Sequence, residues 1–437
     1  MMESKYKVAN LLLGLNLHGF ILFLYFSLLS LAYYLLNYRG LLTLDMYRES
    51  FNISSLGIAF IGIFVLVILL PKSVCKISDA FNWVFAVFLL IPALVGVMFS
   101  AVSIKMILLS FGVLLVVTAA SKINYAFIPK KRIPVNPLYF AWILLFCGLI
   151  PILFFGSYSG VEFTVEKIYE NRELISNNQF ALFEYVHPIL SKAVLPFLLL
   201  VYIHKKKYLF ALVILILSFS MFFLVQHRAA LIYPVMVISG HYLYKYHLKN
   251  FGYFITWSII VIVAAMIVNL FYGDFLGVGL PDFVLRRSLM VPSILQSVYL
   301  EFFTENPFTF FSDSKVTLGM IQYPYDKSVP YLIGEFIDLP QAHANAGIVG
   351  SGYQHAGIFG VFIYSMILAT VMLTIDVLTP HEWKSVAFGM ALPGFYWIIC
   401  SSDVLSVFLT HGLIVTLLFV ILLNSGRRIP IASMKRI

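Results

Sequence analysis

VANLLLGLNLHGFILFLYFSLLSLAYYLL, residues 8–36, contains no Asp, Glu, Lys or Arg. A helix of ~20 residues crosses the ~30 Å hydrocarbon core of a bilayer, and this run exceeds that length. Similar apolar runs follow at 56–70, 81–99, 104–120, 137–156, 189–203, 208–226, 229–244, 251–272, 356–378, 386–401 and 405–423. Hydrophobic residues make up 61% of the 437-residue chain and charged residues 11%, with a mean hydropathy of +0.95. A water-soluble domain needs a polar shell, and this composition does not supply one. Strand-like alternation is absent, which argues against an outer-membrane barrel. The sequence predicts an all-α, polytopic integral membrane protein of about twelve transmembrane helices. Residues 1–437 then form a single transmembrane domain. The first run is also longer than the apolar core of a signal peptide, and no small-residue cleavage site closes it. It reads as a retained first helix.

The formal net charge is +9. Lysines and arginines fall in short clusters between apolar runs rather than in a stripe interleaved with aromatics, which argues against nucleic acid as a partner. With a cytoplasmic N-terminus, the inside segments are 1–7, 71–80, 121–136, 204–207, 245–250, 379–385 and the tail from 424. They carry 18 of the 29 basic residues. The positive-inside rule therefore places both termini in the cytoplasm. The three cysteines, Cys75, Cys147 and Cys400, have no metal-like spacing and read as packing residues.

Two outside loops are substantial. Residues 157–188 are acidic, and residues 273–355 form the largest break in the hydrophobic pattern. The larger loop is expected to pack on the membrane face. It contains an amphipathic stretch, 282–303, with Val291, Leu295, Val298 and Phe302 on one helical face, suited to lie in the membrane surface. It ends in QAHANAGIVGSGYQHAGIFG (341–360). Gly347, Gly350, Gly352, Gly357 and Gly360 permit tight re-entry into the membrane and close backbone approach.

Ionisable residues within apolar runs are few. Lys105 and Lys192 begin their runs at the outer side, where snorkelling is easy. Asp376 sits near an inner end, and Arg228 and Asp403 sit at tight outer turns. No acid or base falls mid-membrane, which weighs against an ion-coupled transporter. His227 and Arg228 stand where two apolar runs almost touch. A guanidinium there suits a phosphate or diphosphate bidentately, or serves as an interfacial anchor. Arg286 and Arg287 open the amphipathic stretch. Neighbours on an α-helix point about 100° apart, so one of them faces any given site. They bind substrate or lipid headgroups. Arg172 lies between Glu170 and Glu173, where local ion pairing competes with a binding role. His343 is the first candidate for a general base acting on a sugar hydroxyl. His355 and Asn345 are candidates for holding substrate. No phosphate-binding glycine loop, HExxH, zinc spacing or DxD pair is present. No metal or cofactor is expected, and nucleotide-sugar chemistry is disfavoured.

These features together resemble the O-antigen polymerases (Wzy) of Gram-negative bacteria. The likeness rests on His227-Arg228 at an outer turn, Arg286 and Arg287 in a large loop, and the run Asn345-Ala346-Gly347 through Tyr353-Gln354-His355-Ala356-Gly357 leading into a helix. It covers the whole hydropathy profile. The resemblance implies a nucleotide-sugar-independent glycosyltransferase of lipopolysaccharide biosynthesis, multi-pass in the bacterial inner membrane with its active site facing the periplasm. It implies transfer of a growing glycan from undecaprenyl diphosphate to a lipid-linked repeat unit. The partners would be the donor and acceptor lipid-linked oligosaccharides, membrane lipid and a chain-length regulator protein. O-antigen ligases are the nearest alternative. They show a His-x-His-Asn-like run where this chain reads Ala342-His343-Ala344-Asn345, which favours the polymerase. A repeat-unit flippase and a structural protein assisting chain-length control are the alternatives of other classes.

Overall fold

The computed structural model describes residues 2–42, 51–123, 135–155, 183–222, 229–272, 279–314 and 317–425. Among these residues every regular element is helical. Where described, the apolar runs named above are largely helical. Seven described helices are long and apolar enough to cross a membrane, or eight if the pair Val404–Thr410 and Leu413–Asn424, bent by 66°, is one span. The run at 56–70 and the described part of that at 208–226 lie on the shorter helices Ile53–Leu69 and Tyr208–Ser220. Those at 229–244 and 386–401 lie on Ala229–Tyr246 and Lys384–Cys400. Large apolar side chains also cover the outside, among them Phe64, Ile68, Leu108, Phe146, Phe154, Val261 and Phe359. A chain apolar both inside and outside suits lipid as its solvent, so the structure is that of a polytopic membrane protein.

The chain divides into two compact units. The first comprises Met1–Ile123, His247–Met372 and Phe395–Leu405. Its central rod is Ile77–Met98, buried along almost its whole length. Asp79 starts the rod by accepting the Cys75 and Lys76 amides, both at 2.9 Å, which ties the incoming chain and the N-cap to the first turn. Trp83 fills the space over Gly252, where an added Cβ would overlap the indole. Its Nε1–H donates to the Pro71 carbonyl at 2.9 Å.

Where described, much of the expected 273–355 loop is helical in this unit: Asp282–Met290, Val291–Glu305, Val329–Phe336 and the start of Ile348–Leu378. The amphipathic stretch does form a helix, but it does not lie on a lipid surface. Its polar residues Ser293, Gln296 and Ser297 are buried along with Ile294, Leu295, Val298 and Tyr299. The physical reason is that those polar groups have protein partners. The Ser297 hydroxyl donates to Ser103 Oγ at 3.1 Å and accepts the Ser103 amide at 2.8 Å. Fully partnered hydroxyls and amides cost little to bury.

The second unit comprises Asn124–Tyr246, Leu373–Gly394 and Ser406–Ile437. Its core is built on Leu190 to Tyr202, with Phe197 stacked on Phe419 at 4.1 Å. Gly389 lets two helices approach closely. A Cβ there would lie 2.7 Å from the Val237 carbonyl oxygen.

Three helices share one device. Ala86–Leu90, Leu190–Val194 and Asp282–Met290 are π-helical, and each is followed by a proline at the second α-helical position: Pro92, Pro196 and Pro292. Proline lacks an N–H, and its ring clashes with the carbonyl four residues back. The preceding turn widens to relieve that clash. The residue before each proline donates five residues back: Ile91 to Ala86, Leu195 to Leu190 and Val291 to Arg286. Two of the three widened stretches carry the cations Lys192, Arg286 and Arg287.

Candidate functional site

The glycine-rich run forms a sharp reversal in the first unit. Ile348–Leu378 is broken at Ala356 (φ −155°, ψ 33°) and Gly357 (φ 60°, ψ −137°), giving a short limb, 348–355, and a long one from 358. The Gly357 backbone lies in a region that side-chain-bearing residues avoid. Close approach of the limbs depends on two more glycines. A Cβ at Gly352 would lie 2.9 Å from Val361 Cα, and one at Gly360 would strike the Gly352 carbonyl. Gln296 anchors the short limb. Its Oε1 accepts the Val349 amide at 2.9 Å, and its Nε2 donates to the Pro292 and Ile399 carbonyls at 3.0 Å.

His355 ends the short limb at 1% side-chain exposure, between two carboxylates. Its Nδ1 lies 2.8 Å from Thr309 Oγ1 and 3.6 Å from Asp313 Oδ1, and its Nε2 lies 3.3 Å from Asp403 Oδ2. The Tyr364 hydroxyl donates to the same Asp403 oxygen at 2.5 Å, and Gln354 Nε2 donates to Asp313 Oδ2 at 3.0 Å. The Phe311 ring stacks on the imidazole at 4.3 Å. The loop that brings Asp313 here also closes the limb. Thr309 and Phe310 amides donate to the Gln354 and His355 carbonyls at 2.9 and 3.0 Å, filling two acceptors left open at a helix end. Phe310 and Phe311 take φ values of 48° and 63°, a left-handed conformation that costs free energy in residues with side chains.

The histidine is sealed in, but the acids are not. Asp313 and Asp403 side chains are 29% and 23% exposed. Asp313 is the more available of the two. Its Oδ1 stands beyond hydrogen-bond distance of His355, whereas Asp403 Oδ2 faces both the Tyr364 hydroxyl and the imidazole. Burial raises the Asp313 pKa above the ordinary carboxylate value. The nearby His355 opposes that shift and the like charge of Asp403 adds to it. The cluster can therefore hold and pass a proton at a carboxylate that reaches the surface. Among the described residues, no group of His, Cys, Asp and Glu has the arrangement of a metal site.

The described residues expected from sequence sit in separate local settings. Arg286 and Arg287 both pair with Asp282, the second at 3.2 Å. The widened π turn lets consecutive side chains reach one carboxylate, unlike the 100° divergence expected of an α-helix. Arg286 is 18% exposed and Arg287 55%. His343 is exposed, and its ring stands edge-on to Tyr331 at 5.0 Å. Partial desolvation lowers its pKa below the ordinary imidazole value. The Asn345 amide donates to the His343 carbonyl at 3.1 Å, and Asn345 is half-buried. Arg172, His227 and Arg228 lie outside the described residues. Among the described sequence candidates for the site, only His355 stands in the carboxylate cluster. Asp313, Thr309 and Tyr364 gave no sequence signal, being ordinary loop and helix residues until the hairpin gathers them. Asp403 gave one, as an acid wedged between two apolar runs. No protein-family model, curated protein or solved structure matches the chain.

Proposed function

We propose that this chain is a lipid-carrier glycosyltransferase, an O-antigen polymerase of the bacterial inner membrane. In this reading about twelve helices span the bilayer, both termini are cytoplasmic, and the 273–355 segment works at the periplasmic face. The observation that carries it is Asp313, a half-open carboxylate backed by the buried His355 and Tyr364, which share Asp403. It lies in the segment that the charge distribution puts opposite the lysine-rich loops.

The chemistry needs one proton removed and one anion stabilised. Asp313 takes the proton of the acceptor sugar hydroxyl. The freed oxygen attacks the anomeric carbon of the donor, and the bond from that carbon to diphosphate oxygen breaks. The electron pair leaves on undecaprenyl diphosphate, whose growing negative charge guanidinium groups such as Arg287 neutralise. Diphosphate leaves readily, so no strong general acid is required. His355 and Asp403 are positioning residues. They fix the loop; burial holds the Asp313 pKa above its ordinary value, with the like charge of Asp403 adding to the shift and His355 opposing it. His343 is exposed and remains a second candidate base.

The test is the glycan profile of cells in which the native chain is replaced by Asp313→Asn. Lipid A core capped with a single repeat unit is the expected product. A complete ladder removes the carboxylate from the mechanism. Loss of even the single-repeat product points to a ligase, and lipid-linked units trapped in the cytoplasmic leaflet point to a flippase.

A further inference from the structure

The helix 282–305 turns its polar face onto protein, so it does not supply the membrane contact expected of the large loop. The apolar surface of that loop lies further along, between Phe310 and Ile321. Phe310 is 54% exposed, Leu318 84% and Met320 81%. Among the described residues, no large apolar side chain is more open than Leu318. The backbone holds these side chains out. Leu318 (φ 50°) and Gly319 (φ 76°) take left-handed conformations, as do Phe310 and Phe311. That region costs free energy in leucine and phenylalanine, and successive turns offset it. The Ser314 amide donates to the Phe311 carbonyl at 3.0 Å, and the Met320 amide donates to the Thr317 carbonyl at 2.9 Å. The Thr317 hydroxyl donates to the Ser314 carbonyl at 3.0 Å. Phe311 stacks on His355, so the tip at Leu318-Gly319-Met320 is tied through these turns to the buried histidine.

What meets the tip follows from the reversal at Ala356-Gly357. The long limb, residues 358–378, is ~31 Å long at ~1.5 Å per residue, about the thickness of a hydrocarbon core. Its first turn therefore stands at one edge of that core. Ile358, Phe359, Phe362, Ile363 and Met366 are exposed and share one helical face, so the lipid-facing stripe starts at the reversal itself. The turns pack on the same point. The Phe310 amide donates to the His355 carbonyl at 3.0 Å, and a Cβ at Gly357 would lie 3.1 Å from the Phe308 ring. Phe310 thus leaves the backbone beside the head of the stripe. Composition agrees with that depth. Residues 316–325 carry no charge. They end in Tyr323 and Tyr325, ring centres 5.7 Å apart, aromatic groups with polar tips of the kind that gather at a membrane–water boundary.

We propose that the tip Leu318-Gly319-Met320, together with Phe310, inserts into the bilayer that the chain itself spans. The occupant of this apolar surface is lipid, because the surface adjoins a face that already meets lipid. The contact moors the turns that carry Asp313 to the membrane. It goes beyond the transferase reading and does not depend on it, so either can fail alone.

The experiment places a nitroxide label on the full chain in phosphatidylcholine nanodiscs, one position at a time, at Leu318→Cys and Met320→Cys. The native thiols are removed as Cys75→Ala, Cys147→Ala and Cys400→Ala. Phe359→Cys, on the lipid-facing stripe, and Asp326→Cys, at an exposed charged position, are the hydrocarbon and water references. Oxygen concentrates in hydrocarbon and a nickel chelate stays in water, so the ratio of their collision rates with the label reads depth. Labels at 318 and 320 should match the ratio at 359 and exceed that at 326 several-fold. A ratio at either position equal to that at 326 overturns the proposal. Shielding of both labels from both reagents overturns it as well, marking the tip as a contact for a second protein.

Discussion

Replacing Asp313 by Asn separates a chemical role from a structural one. The exchange keeps shape and keeps an oxygen that can accept the Gln354 Nε2–H now at 3.0 Å. A hydrogen bond to a charged acceptor contributes ~1.5–3 kcal/mol and to a neutral one ~0.5–1.5 kcal/mol, so about 1 kcal/mol is lost there. Against this, the variant no longer holds a carboxylate whose ionisation burial disfavours. The two changes oppose each other, and the net stability change at neutral pH should stay within about 1 kcal/mol. The rate behaves differently. Losing a positioned general base costs ~10²–10⁴-fold, or about 3–5 kcal/mol of barrier at ~1.36 kcal/mol per tenfold. The assay is chain extension by proteoliposomes supplied with a synthetic lipid-linked repeat unit, read beside thermal unfolding of the same preparation. A folded Asp313→Asn protein that extends chains within about threefold of the unsubstituted rate refutes the assignment. A fall in rate that merely tracks a fall in unfolding temperature refutes it equally.

The pH profile follows from the same residue. Because Asp313 must be ionised to act and its pKa is raised, the acid limb of the rate should lie above the ordinary carboxylate value of 3.8. Asp403→Asn removes the like charge that helps raise it, so that limb should move to lower pH; an unmoved limb separates Asp403 from the base. Stability runs the opposite way. The folded state binds the Asp313 proton more tightly than the unfolded chain does, so the contribution of Asp313 is greatest below pH 3.8 and declines as pH rises through the raised pKa, as unfolding against pH would record. Gly357→Ala forces a side chain into φ 60°, ψ −137° and should cost ~1–3 kcal/mol in unfolding measurements. Its Cβ would also lie 3.1 Å from the Phe308 ring. Gln296→Leu strands the Val349 amide and the Ile399 carbonyl, two buried groups at ~1–3 kcal/mol each, and should lower the unfolding temperature more than Gly357→Ala does.

The helices were legible because hydrophobic runs are set by solvent: a segment that faces lipid or a protein core must be apolar along its length. The glycines of 347–360 were legible for a related reason. Five small residues in so short a stretch have few uses besides close approach, and Gly352 and Gly360 meet as that spacing suggests. The carboxylate cluster was not legible. Its members come from three separate stretches, at 309–313, 354–364 and 403, and no periodicity links them. His343 drew attention by standing alone in a polar run. His355 looked like an interfacial residue until the reversal at Ala356-Gly357 turned it inward. The place of Lys192 inside the span Tyr185–His204, rather than at its start, was hidden as well, because Phe183–Ile189 contains Glu184, His187 and Pro188, which blur the start of an apolar run. The burial of the 282–305 helix had no local signal either, since an amphipathic pattern is the same whether its polar face meets water or partnered serines.

The proline-linked widening has a consequence for how this sequence tolerates insertion and deletion. A turn closed five residues back accommodates one residue more than a turn closed four back, so each of Pro92, Pro196 and Pro292 marks a place where the chain carries a surplus position. Removing that position and replacing the proline by alanine would restore a uniform helix. Everything on its N-terminal side would then swing by about 100° around the axis. For the segment ahead of Pro196, the swing would carry Ala193 off the face that meets Gly412. Which side chain the helix offers to that glycine is thus written as a count of residues.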